Sequence, residues 1–182
     1  MRGAALMVLV CLVAPPRPAW AQDTTKGPPP PPADSAHLDS AVLPAPPPPT
    51  PAQARYMDGL KTATRGIAQL KDGVDRVLRA QNLGDTLRQR QAGRRLGGLC
   101  GAARGFLANG RAQMAPTAYD PPTRTAARQL ALQIDSLITY SPTCERTATR
   151  MPGPVAARVT DLLRKYDAAV LSWRTAVGLP IK

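Results

Sequence analysis

From Ala54 onward the apolar positions follow a helical period. Leu60, Ala63, Ile67, Leu70, Val74 and Val77 step by 3, 4, 3, 4 and 3, six successive a and d positions of a heptad. Asn82 and Gly84 are good stops and Asp85 a good N-cap, so a first helix is expected over about 54–81. Leu96, Leu99, Cys100, Ala103, Phe106 and Leu107 share one face of a second, over about 85–109, with Asn109-Gly110 closing it. Pro121-Pro122 opens a third, over about 122–140, with the stripe Ala127, Leu130, Ile134, Leu137 and Ile138. Ser141-Pro142 is expected to stop that helix, which places Cys144 in the loop beyond it. After Pro152-Gly153-Pro154 a fourth helix, over about 154–177, aligns Val155, Val159, Leu162, Tyr166, Ala169, Trp173 and Val177 before Gly178 and Pro180.

No segment alternates with period two over a β-branched run. The expected fold is therefore all-α, an up-down-up-down four-helix bundle over 54–182. Those residues are enough to bury a core, and the core is aliphatic, because aromatic side chains are few. The flanks of the first helix's heptad seam are Gly59, Gly66, Gly73, Thr64, Lys71 and Leu78, not paired charges, so the seam is expected to close within a monomer and not in a coiled-coil dimer.

The chain before this bundle reads differently. Met1 and Arg2 precede an apolar run from Ala4 to Ala14, and Ala19-Trp20-Ala21 has the A-x-A form of a cleavage site. The run is too short to span a bilayer, which takes about 20 apolar residues. Residues 1–21 are thus expected to be a signal peptide, and the mature protein to be periplasmic or extracellular. Residues 22–53 hold the runs Pro28–Pro32 and Pro44–Pro51 and are expected to form a disordered, semi-stiff tail.

Glycine is the most specific local pattern. Gly59, Gly66 and Gly73 recur every seven residues beside the seam, and Gly93, Gly97, Gly101 and Gly105 recur every four. Each costs a helix roughly 0.5–1 kcal/mol relative to alanine, so close backbone approach is expected in return, with the two glycine faces turned toward each other. A membrane-spanning glycine zipper would be very costly for the second helix, because Arg94, Arg95 and Arg104 stand among those glycines.

Charge narrows the function. Residues 54–182 carry 21 basic and 9 acidic side chains, a net of +12. On the second helix Arg90, Arg94, Arg104 and Arg111 fall within about 100° of arc, with Arg88 and Arg95 near the other edge of the apolar face. These arginines, Arg90, Arg94, Arg95, Arg104 and Arg111 foremost, are the candidate anion-binding residues. No aromatic side chains interleave with them and no groove-reading motif is present, which argues against specific nucleic-acid binding. For an exported protein the expected partner is an anionic envelope component: lipid head groups, a glycan or an acidic protein.

Covalent chemistry has little to work with. The one histidine, His37, lies in the tail, so the bundle lacks the commonest general base and metal ligand. No nucleophile, zinc, P-loop or haem motif occurs, and no catalytic residue, cofactor or metal site is expected. Asp72 and Asp75 are the nearest thing to a carboxylate pair, and Arg76 and Arg79 beside them suit ordinary pairing on a helix surface. The two cysteines left after export, Cys100 and Cys144, are expected to form a disulfide. The sequence reads best as an exported, basic, non-catalytic binding or structural protein of the envelope. A small carboxylate enzyme and a helical chaperone-like binder with an apolar groove are the alternatives.

Overall fold

The structure is a computed structural model that describes residues 48–179. The expected signal peptide, and all of the expected tail up to residue 47, lie outside the described residues, as do 180–182. Among the described residues four helices follow one another: α1 (Pro51–Asn82), α2 (Thr86–Gln113), α3 (Pro121–Thr147) and α4 (Pro152–Ala176), with one turn of 3-10 helix, Pro116–Ala118, between α2 and α3.

Every helix departs from its expected bounds for a local reason. α1 begins at Pro51, inside the stretch assigned to the tail. Thr50 is its N-cap: Gln53 N–H donates to Thr50 Oγ1 at 3.3 Å and Thr50 N–H to Gln53 Oε1 at 2.9 Å, a reciprocal capping box with proline at the first helical position. Asp85 caps α2 by accepting from the N–H groups of Leu87 and Arg88 at 2.9 and 3.0 Å. α2 then runs through Gly110 to Gln113, because Gly110 is a packing position against α1 and not a stop.

α3 passes straight through Pro142 and ends at Thr147, so Ser141-Pro142 does not stop it and Cys144 is helical. An interior proline costs a helix about 3 kcal/mol. The turn and a half beyond it is held by tertiary contacts, since the Cys144 and Ala148 side chains are wholly buried and the main chain there lies against the glycines of α2. α4 starts at Pro152, again using proline at the first position, and ends one residue early at Ala176, ahead of Gly178 with φ +71°.

The helices form a ring in which each packs antiparallel on its chain neighbours and α4 returns to α1. α1 and α2 share the most extensive interface. Its register is regular: Gly59 lies against Gly110, Gly66 against Ala103 and Gly73 against Leu96, and each pair of residue numbers adds to 169. Leu96, Leu107, Leu130, Ile134 and Met114 fill the interior. At the end where the described chain begins and ends, Tyr56, Tyr119 and Trp173 form an aromatic cluster, with ring centroids 5.1 Å apart for the two tyrosines and 5.7 Å for Tyr56 and Trp173. The Tyr56 hydroxyl donates to Ala127 O at 2.9 Å, which ties α1 to α3 and satisfies the buried phenol.

Candidate functional site

The glycines divide into three groups. Gly59, Gly66 and Gly73 face α2: a Cβ at Gly59 would lie 2.6 Å from Gly110 O, and one at Gly66 would lie 2.9 Å from Ala103 O. Gly93, Gly97 and Gly101 do not face α1, contrary to the expectation. They face the last turns of α3, with Gly93 against Ala148 O and Pro152, Gly97 3.0 Å from Glu145 O, and Gly101 3.2 Å from the Glu145 carboxylate, all measured from an ideal Cβ. Gly105 faces open space and packs against nothing. The α1 glycines meet Gly110, Ala103 and Leu96, so two different glycine rows serve the two interfaces of α2.

Cys100 and Cys144 are bonded, with their Cα atoms 6.1 Å apart and both residues buried. Because Cys144 is helical, the link joins α2 directly to α3, beside the glycine row that lets those helices approach.

The arginines of α2 also divide. Arg111 is engaged within the protein: its Nε lies 2.9 Å from Asp135 Oδ1 on α3, and its Nη1 donates to Met114 O at 3.3 Å, which holds the end of α2. Arg88 pairs with the capping Asp85 at 3.2 Å. Arg90, Arg94 and Arg104 are exposed and make no ion pair or hydrogen bond with the described residues. Arg95 is exposed beside Leu96, opposite Gly73 of α1, which brings it near Asp72. Arg76 Nε donates to Asp72 Oδ2 at 2.9 Å. That hydrogen bond, and then the fields of Arg76, Arg95 and Arg79, hold the Asp72 carboxyl below its usual range against partial desolvation. One carboxylate among three guanidiniums leaves this seam positive.

The same imbalance recurs on α4. Asp161 accepts from Arg164 at 2.7 Å, Lys165 at 2.9 Å and Arg158 at 3.1 Å. Hydrogen bonds from Lys165 and Arg164 keep its carboxyl ionised to lower pH than usual. Arg158 and Lys165 line a shallow groove of about 1130 Å³ between α3 and α4, together with Gln133, Ser136, Thr139 and Tyr140. Both cations of that groove are already engaged with Asp161, so it offers less free charge than α2 does.

Asp72 is tied to Arg76, and no group of three or more His, Cys, Asp or Glu that could hold a metal occurs among the described residues. Among the same residues no helix is long and apolar enough to cross a membrane. The exposed large apolar side chains do not line one groove: Leu132 lies in the α3–α4 groove and Leu78 in the α1–α4 groove, while Leu83 and Met151 belong to the turns and Leu87 to the first turn of α2. The sequence reasoning missed Gly110 and the role of Asp135. The only available sign of Gly110 was its regular spacing from Ala103 and Leu96, which becomes informative once the α1–α2 register is known. No family model, curated protein or solved structure matches the chain.

Proposed function

We propose that this protein is an exported, non-catalytic helical binding protein of the cell envelope, which associates with anionic partners through the arginines of α2 and the adjoining α1 seam. One observation carries the reading: Arg90, Arg94 and Arg104 hold no internal partner among the described residues, whereas Asp72, Asp85, Asp135, Asp161 and Asp167 are each paired with a neighbouring cation. A charge that neither caps a helix nor closes an ion pair contributes little to the fold and remains available to attract a counter-charge. Arg111, formerly a candidate of the same kind, belongs to the scaffold, and Arg90, Arg94, Arg95 and Arg104 remain.

Binding of the purified protein to immobilised heparin, a soluble sulfated polyanion, tests the reading across a salt series. Retention is expected to fall steeply between about 50 and 300 mM salt, since the Debye length near 0.15 M is about 8 Å. The double variant Arg94→Glu, Arg95→Glu is expected to elute at markedly lower salt with its helical content unchanged. An absence of retention at 50 mM salt would reduce the arginines to solvated surface.

A further inference from the structure

Both helix-to-helix turns, α1–α2 and α3–α4, lie at the end of the bundle opposite Thr50 and Leu179. Two close approaches bring these turns together: Gly93 of α2 lies against Ala148 and Pro152, and Gly153 against the Gln81 side chain at the end of α1. This tip carries apolar side chains that nothing covers. Leu83 is 65 % exposed, Leu87 66 % and Met151 52 %, the three most exposed large hydrophobic residues among those described.

The same end concentrates positive charge. Residues 74–95 and 143–155 hold eight arginines and three acidic side chains, while residues 51–63, 105–130 and 167–179 at the other end hold six basic and three acidic ones. The turn end thus has the larger net positive charge in fewer residues. Asp85 caps α2 and pairs with Arg88, and both are included in that balance. The side chains of Arg90 and Arg94 on α2, of Arg146 at the end of α3 and of Arg150 in the turn after it have no partner among the described residues.

Apolar tips surrounded by unpaired guanidiniums match one kind of surface. An anionic bilayer presents phosphate groups at its boundary and acyl chains just beneath, so arginines meet the first while leucines and methionine enter the second. A soluble polyanion satisfies the arginines but gives the leucines nothing, and an apolar groove does the reverse. We infer that the turn end, through Leu83, Leu87 and Met151 with the surrounding arginines, docks the bundle upright on an anionic phospholipid surface. The inference rests on the proposed attraction to anionic partners and names one.

Co-sedimentation of the purified protein with vesicles of phosphatidylglycerol and phosphatidylcholine, with phosphatidylcholine alone, and in parallel with heparin beads, tests it. Binding is expected to the phosphatidylglycerol vesicles and to heparin, and not to phosphatidylcholine alone. Leu83→Ser with Leu87→Ser, which leaves the charge unchanged, is expected to weaken vesicle binding at least tenfold while leaving heparin retention within twofold, since both side chains are exposed and the melting curve should not move. In a Leu87→Trp variant of the protein without residues 1–21, tryptophan emission is expected to shift to the blue with the anionic vesicles and not with heparin, a shift the same protein with Leu87 lacks because its Trp173 is buried at the opposite end. Heparin retention without vesicle binding overturns the inference and leaves the proposed function standing. Failure of both overturns both. Vesicle binding unaffected by the double leucine variant shows charge alone at work, and a dimer that the leucine variant abolishes, without vesicle binding, makes the tip a surface for a second copy. Either outcome overturns the lipid assignment.

Discussion

Gly59 and Gly110 meet main chain to main chain across the α1–α2 interface, each occupying the space where a Cβ on the other would go. A Cβ at Gly59 would lie 2.6 Å from Gly110 O, a backbone atom that cannot swing aside. Gly59→Ala is therefore expected to lower stability by about 1–3 kcal/mol through overpacking. Gly105 is helical as well, but faces open space, and Gly105→Ala is expected to raise stability by about 0.5–1 kcal/mol. Urea melts of the two variants should move in opposite directions; a common direction would disprove the assignment of their environments.

The Cys100–Cys144 bond spans 44 positions of sequence, and closing a ring of that size corresponds to about 4 kcal/mol in the chain-entropy account. Cys100→Ser with Cys144→Ser is expected to lose about 2–4 kcal/mol while keeping the helical spectrum. Reduction of the native protein should reach the same end only slowly, since both cysteines are buried. Thermal melts with and without reductant, and the rate of thiol release, provide the check.

Arg111 and Arg94 are expected to separate stability from binding. Arg111→Gln removes the Asp135 pair and the hydrogen bond to Met114 O, and should cost about 0.5–1 kcal/mol, as an ion pair open to solvent on both sides allows. Its heparin retention should change little. Arg94→Glu with Arg95→Glu should show the reverse, with a small change in melting and a large one in retention. Parallel loss of both properties in both variants would contradict the division of α2 into scaffold and free arginines.

Burial raises the Tyr56 hydroxyl far above the usual tyrosine value. A folded pKa higher than the unfolded one, about 10, means that its contribution is complete below pH 10 and is lost progressively as pH rises above it. The melting temperature should therefore fall more steeply above pH 10 in the parent than in Tyr56→Phe. At neutral pH the variant, having lost the bond to Ala127 O, should be less stable by about 1 kcal/mol. Melts of both proteins from pH 8 to 11 compare the slopes; equal slopes would assign the alkaline loss to other groups.

The bundle was legible because period and caps agree. The a/d stripe of α1 buries Ala63, Ile67, Leu70, Val74 and Val77, and Asp85 caps where its side chain can reach the first free N–H groups of α2. What stayed hidden depends on long-range contacts. Pro142 is a stop by local rules, yet the disulfide and the buried Ala148 keep the helix going, and no local rule sees them. Thr50-Pro51-Ala52-Gln53 held a capping box in plain view, masked by the prolines before it. The heptad glycines faced α2 as expected, whereas the four-residue glycine row went to α3, because spacing describes a ridge and not its neighbour. For the candidate surface the sequence supplied the arginines, and only the structure could remove Arg111 from their number by placing Asp135 opposite it.

The link between α2 and α3 changes what a protease can do. The peptide segment 114–120 between those helices lies inside the covalent ring closed by Cys100 and Cys144. A single cut there, at exposed Thr117 for instance, would open the ring without parting the pieces: an α1–α2 hairpin and an α3–α4 hairpin would remain one molecule through sulfur. The nicked protein would migrate intact without reductant and as two fragments with it, a two-chain form made from one gene product by one hydrolysis.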